Sequence, residues 1–149
     1  MVLKELCVVD VDQPFAPLYY LFAPRGGWQQ LSERQRTTYD FERDSIHHLD
    51  WAEGHIRYCR KCVMHHIKQA FPNSWSGSLF YVMEAQANGQ KLKFLEKEFP
   101  ELHLLNYNIT FDNLPFLPGN IICPHRFHGQ HCAYLKCMRL CAHFKSTLS

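Results

Sequence analysis

Asp10 and Asp12 stand two apart at the end of Leu6-Cys7-Val8-Val9, an apolar, partly β-branched run that predicts a central buried strand. Side chains two apart on a strand share a face, so the two carboxylates would converge on one divalent cation. Hard oxygen ligands of this kind suit Mg2+ or Mn2+. The chemistry such a pair most often serves is two-metal phosphodiester hydrolysis. The competing expectation is structural: one Asp caps the turn before Pro14 and the other is solvated.

A second constellation is Cys123-Pro124-His125-Arg126-Phe127-His128-Gly129-Gln130-His131-Cys132. Thiols and imidazoles at this density match the donor set of tetrahedral zinc, and a loop running into a helix start can wrap its ligands around one point. No repeated C-x2-C pair accompanies them, so a four-ligand site must draw on another part of the chain. Alternatively, Cys123 and Cys132 are small buried hydrophobes and the histidines are surface or capping groups. Cys59-x2-Cys62, followed by His65-His66, also has zinc-compatible helical spacing. The pair falls on the stripe of Val63 and Ile67, however, which predicts core packing, and no strand-turn-helix lead-in of the kind redox C-x-x-C motifs use is legible before it. Arg126, Lys136, Arg139 and Lys145 near the last helix, and Arg57, Arg60, Lys61 and Lys68 near an earlier one, offer two basic faces for a phosphate backbone. The plainer reading of both is a solvated face.

These groups need elements to position them. Residues 6–12 read as strand one and 18–22 as strand two, stopped by Pro24, Gly26 and Gly27, with a hairpin as the cheapest connection. Thr37-Thr38-Tyr39-Asp40-Phe41 reads as a third strand. From His55 the apolar spacing becomes helical until Phe71-Pro72; 79–83 is a strand, 88–99 a helix with Leu92, Leu95 and Phe99 on one face, 103–107 a strand, and 130–144 a final helix after a Pro-rich loop. The predicted order is β-β-β-α-β-α-β-α. No repeat or low-complexity tract divides it.

A length of 149 residues with 46% hydrophobic content predicts one domain spanning 1–149. A net charge of +2 excludes a strongly basic nucleic-acid coat, so electrostatic binding must be local. The odd total of 7 Cys beside 10 His, with no secretory or membrane-spanning pattern at the N-terminus, favours free thiols or metal ligands in a soluble, intracellular protein, cytoplasmic or nuclear.

Taken together, Val8-Val9-Asp10-Val11-Asp12, the order of elements and His131-Cys132-Ala133-Tyr134-Leu135-Lys136-Cys137 resemble the ribonuclease H-like exonucleases of the DEDDh type, and among them a divergent Maelstrom-like branch. The resemblance implies an α/β fold, a single ribonuclease H-like domain with a mixed sheet of about five strands flanked by three helices. It implies metal-binding roles for Asp10, for Asp12 in the family's Glu position and for Glu84, with His131 as general base. Lys136 stands where the family has its last metal-binding Asp, and a charged ammonium cannot ligate Mg2+. The Maelstrom-like comparison adds a zinc set, here Cys123, His125 and Cys132 with His128 or His48 as fourth ligand; no clear Glu on strand one accompanies it. The implied function is a catalytically degenerate exonuclease-fold protein, stabilised by zinc, that binds RNA or single-stranded DNA through Arg126, Lys136 and Arg139, or a protein partner, in a small-RNA or mobile-element pathway. The alternatives are an active Mg2+- or Mn2+-dependent 3'-5' exonuclease or endonuclease, and a zinc-stapled protein-interaction module without a nucleic-acid role.

Overall fold

The structure is a computed structural model that describes residues 3, 5–24, 26–44, 49–72, 80–82, 90–107, 109, 113–117 and 132–148. It is a mixed α/β chain whose packing forms two compact units, one of residues 59–115 and one of residues 2–58 with 116–149.

The larger unit is built on a hairpin. β1 (Glu5–Asp10) pairs antiparallel with β2 (Gln13–Ala23), in register from Glu5 opposite Leu21 to Val8 opposite Leu18. The register then shifts, and Asp10 faces Gln13. Pro14 and Pro17 lie in the irregular stretch of β2 that this shift creates, where a missing N–H costs the ladder nothing. The strand is correspondingly longer than its apolar run.

β3 (Ile56–Arg57) adds parallel to the far end of β2, giving the order β1-β2-β3. β2, not β1, is therefore central in this sheet, a correction to the expectation from Leu6–Val9. The signal was in Tyr20-Leu21-Phe22, apolar without alternation and buried throughout, as a strand covered on both faces must be. Tyr20 and Phe22 share a face and stack at 5.5 Å, and Tyr58 meets Phe22 edge-on at 5.1 Å. Gly54 passes so close to β2 that a Cβ there would run into the backbone nitrogen of Ala23.

The predicted strand at 37–41 is a helix, α1 (Glu33–Glu42). Its start is a capping box: Gln35 N–H donates to Ser32 Oγ at 3.1 Å, and Ser32 N–H donates to Gln35 Oε1 at 2.9 Å. Two orphan donors are thereby satisfied, which outweighs the β-branched Thr37 and Thr38. Only Tyr39 of α1 is buried; its ring meets Trp51 edge-on at 5.1 Å and Trp28 at 6.0 Å, and its hydroxyl donates to the Leu49 carbonyl at 2.8 Å. Leu49 is fully buried behind it. The unit closes with the last helix, Ala133–Leu148, packed along β1.

In the smaller unit α2 (Arg60–Ala70) buries Val63, Met64 and Ile67, and Phe71 ends it as the Phe-Pro signal predicts. β4 (Phe80–Val82), α3 (Gln90–Glu98) and β5 (Leu104–Asn106) follow, the two strands pairing parallel with Phe80 opposite Leu104. Parallel strands require a crossover, and α3 is carried on it, with Leu95 and Phe99 buried as their spacing predicts. The last helix is α4, so the described residues hold four α-helices rather than three. Their five strands form two sheets, of three and two strands, not one sheet of five.

Candidate functional site

α4 runs beside β1 in one direction with it. Near its start Ala133 N–H donates to Glu5 Oε1 at 3.4 Å; one turn on, Cys137 Sγ donates to the Cys7 carbonyl at 3.5 Å, and a further turn on Cys141 Sγ reaches the Val11 carbonyl at 3.9 Å. Ala133, Cys137 and Cys141 recur every four residues, a small-side-chain stripe that lets the helix approach the strand closely. This alignment decides which residues meet.

Asp10 and Asp12 do not form a strand pair. β1 ends at Asp10, the chain turns, and Asp12 N–H donates to Asp10 Oδ1 at 2.9 Å while Asp12 is exposed. Alternation of faces holds only along regular extended backbone, and the register shift and turn remove it here. The capping reading of Asp10 is the one the geometry matches. The part of α4 adjoining these carboxylates is the Cys141–Lys145 turn, whose charges bear on one another: burial first, then Cys137, Asp10 and Asp12, raise the Cys141 thiol above its ordinary 9.0, and Lys145 opposes them. Lys136 lies between the Glu5 and Cys7 anchors, towards the other end of β1. Ala133–Leu148 contains no Asp or Glu, so α4 supplies no carboxylate to either end. Glu84 and His131 lie outside the described residues.

Cys132, the described member of the zinc set, is fully buried immediately before α4, and its carbonyl accepts from Lys136 N–H at 3.0 Å. Cys123, His125, His128 and His48 lie outside the described residues. Beside this helix start is a carboxylate that the sequence reading passed over, Glu5 on β1. Glu5 accepts from the Tyr19 hydroxyl at 2.7 Å as well as from Ala133 N–H, and a carboxylate here complements the positive end of the helix. Tyr19 is held in turn by the edge of Tyr134 at 5.6 Å and lies 6.4 Å from the His55 ring. Cys7 completes the cluster. Its thiol is held far above 9.0, first by the hydrogen bond with Cys137, then by burial and by the neighbouring Cys137, Cys132 and Glu5 groups, so it is a protonated thiol at neutral pH. Among the described residues no group of three or more His, Cys, Asp and Glu has a geometry that could hold a metal ion. The chemistry of Glu5 and Cys132, a carboxylate and a thiol flanking one helix start, nevertheless belongs to the zinc repertoire.

Of the basic residues singled out, Lys136 is half-buried on α4 and Arg126 lies outside the described residues. Arg139 is buried at 6% exposure, its guanidinium carbon 5.3 Å from the centroid of Phe116. A guanidinium at this distance is a cation–π partner of the ring. Phe116 itself is 86% exposed. The signal for it in the sequence was an aromatic flanked by prolines in Leu114-Pro115-Phe116-Leu117-Pro118, where no periodicity could bury it.

Cys59 and Cys62 depart from the core-packing expectation. Cys59 is the N-cap of α2, half-buried, and Cys62 is exposed; the two form a disulfide with Cα atoms 5.2 Å apart. The buried stripe is Val63, Met64 and Ile67, so Cys62 sits just off it, one residue ahead of Val63.

No helix among the described residues is long and apolar enough to cross a membrane. Comparison with protein-family models, with curated proteins and with solved structures gives no match to the chain.

Proposed function

We propose that the chain is a catalytically inactive, exonuclease-like protein that binds single-stranded nucleic acid, RNA in the first instance, with zinc at the start of α4. The observation that carries the proposal is the course of α4 along β1. It directs the helix turn bearing Lys136 to Glu5 and Cys7, leaves Asp10 and Asp12 beside Cys141 and Lys145, and brings no carboxylate to them. Two-metal hydrolysis needs several convergent oxygen ligands, and an Asp that closes its own turn beside an exposed Asp is a poor beginning.

Binding has a better foundation. Phe116 presents an exposed aromatic ring with Arg139 against it, the combination on which unpaired bases stack without sequence preference. Lys136 and Arg126 are the phosphate-contacting cations of this reading. Zinc, when bound, would supply structural ligation at the start of α4; Cys132, Cys123 and His125 would hold it, with Glu5 now a candidate beside His128 and His48. The resemblance to Maelstrom-like chains supplies the expectation of a ribonuclease H-like fold and the small-RNA or mobile-element setting, in which RNA is the single strand to test first.

The test is fluorescence anisotropy of the full-length chain with a labelled single-stranded RNA across a salt series. Affinity is expected to fall as salt rises, because phosphate contacts release counterions. Phe116→Ala is expected to weaken binding by about 1–3 kcal/mol, the worth of one stacked base, without changing the melting temperature. Asp10→Asn leaves binding intact. RNA cleavage that requires Mg2+ and disappears in Asp10→Asn would replace this reading with the active nuclease; no binding to any single strand would favour the zinc-stapled interaction module.

A further inference from the structure

The pair Cys59 and Cys62 belongs to the smaller unit and owes nothing to the reading above. Their disulfide spans a sequence separation of 3 residues, inside the first turn of a helix whose start is already held by backbone hydrogen bonding, Val63 N–H to Cys59 O at 3.0 Å. Closing so short a loop removes little entropy from the unfolded chain, so the bond is a weak staple. Nor is it buried among apolar groups: Cys62 is exposed between exposed Lys61 and the buried Val63. Of the other described cysteines, Cys132 and Cys141 are buried and Cys7 and Cys137 half-buried.

We propose that Cys59 and Cys62 form a reversible thiol–disulfide exchange site that accepts electrons from an external dithiol. A thiolate of the incoming molecule attacks Sγ of Cys62, the exposed member; the Cys59–Cys62 bond breaks and its electron pair leaves on Cys59 Sγ. That leaving sulfur is the better placed one. Cys62 N–H already donates to Cys59 Sγ at 3.2 Å, Cys59 occupies the positive end of α2, and the first turn of α2 carries Arg60 and Lys61 and no acidic residue. Arg60 is held by Glu101 at 2.9 Å, so its charge is partly offset, whereas Lys61 is exposed. The second thiol of the incoming molecule, as its thiolate, then attacks the sulfur bound to Cys62 and expels the Cys62 thiolate. The external dithiol becomes a disulfide, and Cys59 and Cys62 each take up a proton; two electrons and two protons pass to the protein.

The experiment equilibrates the full-length chain with reduced and oxidised dithiothreitol in varied ratio, quenches with acid, alkylates and maps each cysteine by mass spectrometry. Expected is a reversible conversion of Cys59 and Cys62 together, from disulfide to two alkylated thiols, with the melting temperature unchanged to about 2 °C between the two forms. A pair that is never oxidised at any ratio, or that yields only when the chain unfolds, overturns the proposal, as does a large loss of melting temperature on reduction. The direction of attack is read on the oxidised wild-type chain with reduced glutathione as probe, quenched early with acid and mapped by mass spectrometry. The mixed disulfide is expected on Cys62 about fivefold more often than on Cys59, because the exposed sulfur is attacked and Cys59 is the one that leaves. Equal labelling of the two would remove Cys62 as the attacked sulfur.

Discussion

At the scale of single residues, the chemistry of this chain is set by where titratable groups are kept neutral. Tyr39 is raised above its ordinary 10.0 by burial first and by the charge of Asp50 next, while its hydroxyl serves Leu49. Cys141 is raised above 9.0, again by burial first. The sign of the consequence is fixed by linkage. In both cases the unfolded chain releases its proton at lower pH than the folded one, so the stabilisation is complete below the ordinary value and is lost as pH climbs towards the folded value. Melting temperature is therefore expected to fall as pH rises past 9.0, where Cys141 begins to contribute, and further past 10.0, where Tyr39 joins it. Cys141→Ala should flatten the early part of that fall, and an identical slope would show that other groups cause it. Much at this scale is legible in the sequence: a cap at Asp10 and a buried Cys132 are both among the alternatives its residues offer. Glu5 is not, because nothing local marks one carboxylate on a strand as the partner of a helix start 128 residues away.

At the scale of elements, local signals competed and the stronger one was passed over. Ser32-Glu33-Arg34-Gln35 is a capping box, and it converts 33–42 to helix against the β-branched pair at Thr37 and Thr38. Ser32→Ala is expected to cost about 1 kcal/mol, read as a lower melting temperature, and Ser32→Asp to restore most of it. Gly54→Ala should cost more than Ser32→Ala, on the order of 3 kcal/mol, because its Cβ meets backbone rather than a flexible side chain. A smaller loss at Gly54 than at Ser32 would mean that the loop before β3 can move away from β2. The hairpin, α2, the strand-helix-strand segment and α4 were all foreseeable, since apolar periodicity and Pro or Gly breakers act over a few residues. Their boundaries moved by a handful of positions, most at the start of β2, where Gln13 rather than Leu18 begins the strand, and at the start of α2, where Arg60 rather than His55 begins the helix.

At the scale of the whole molecule, the zinc reading makes its own prediction. Elemental analysis of the purified chain is expected to find about one equivalent of zinc, with a melting temperature that drops on chelation, because binding to the folded state alone adds to its stability. Cys132→Ser should lose both the metal and the drop. A zinc-free chain that Mg2+ or Mn2+ stabilises would instead restore Asp10 and Asp12 as a cation site. By itself the amino-acid sequence determined the mixed α/β class, most elements and the chemical fact that α4 carries no carboxylate, since composition and short-range pattern suffice for these. Only the tertiary structure decided that β2 is central, that Glu5 meets the start of α4 and that Cys62 faces solvent. Each of these depends on strand register or on helix packing, which join residues far apart in the chain and leave no mark within any one window of it.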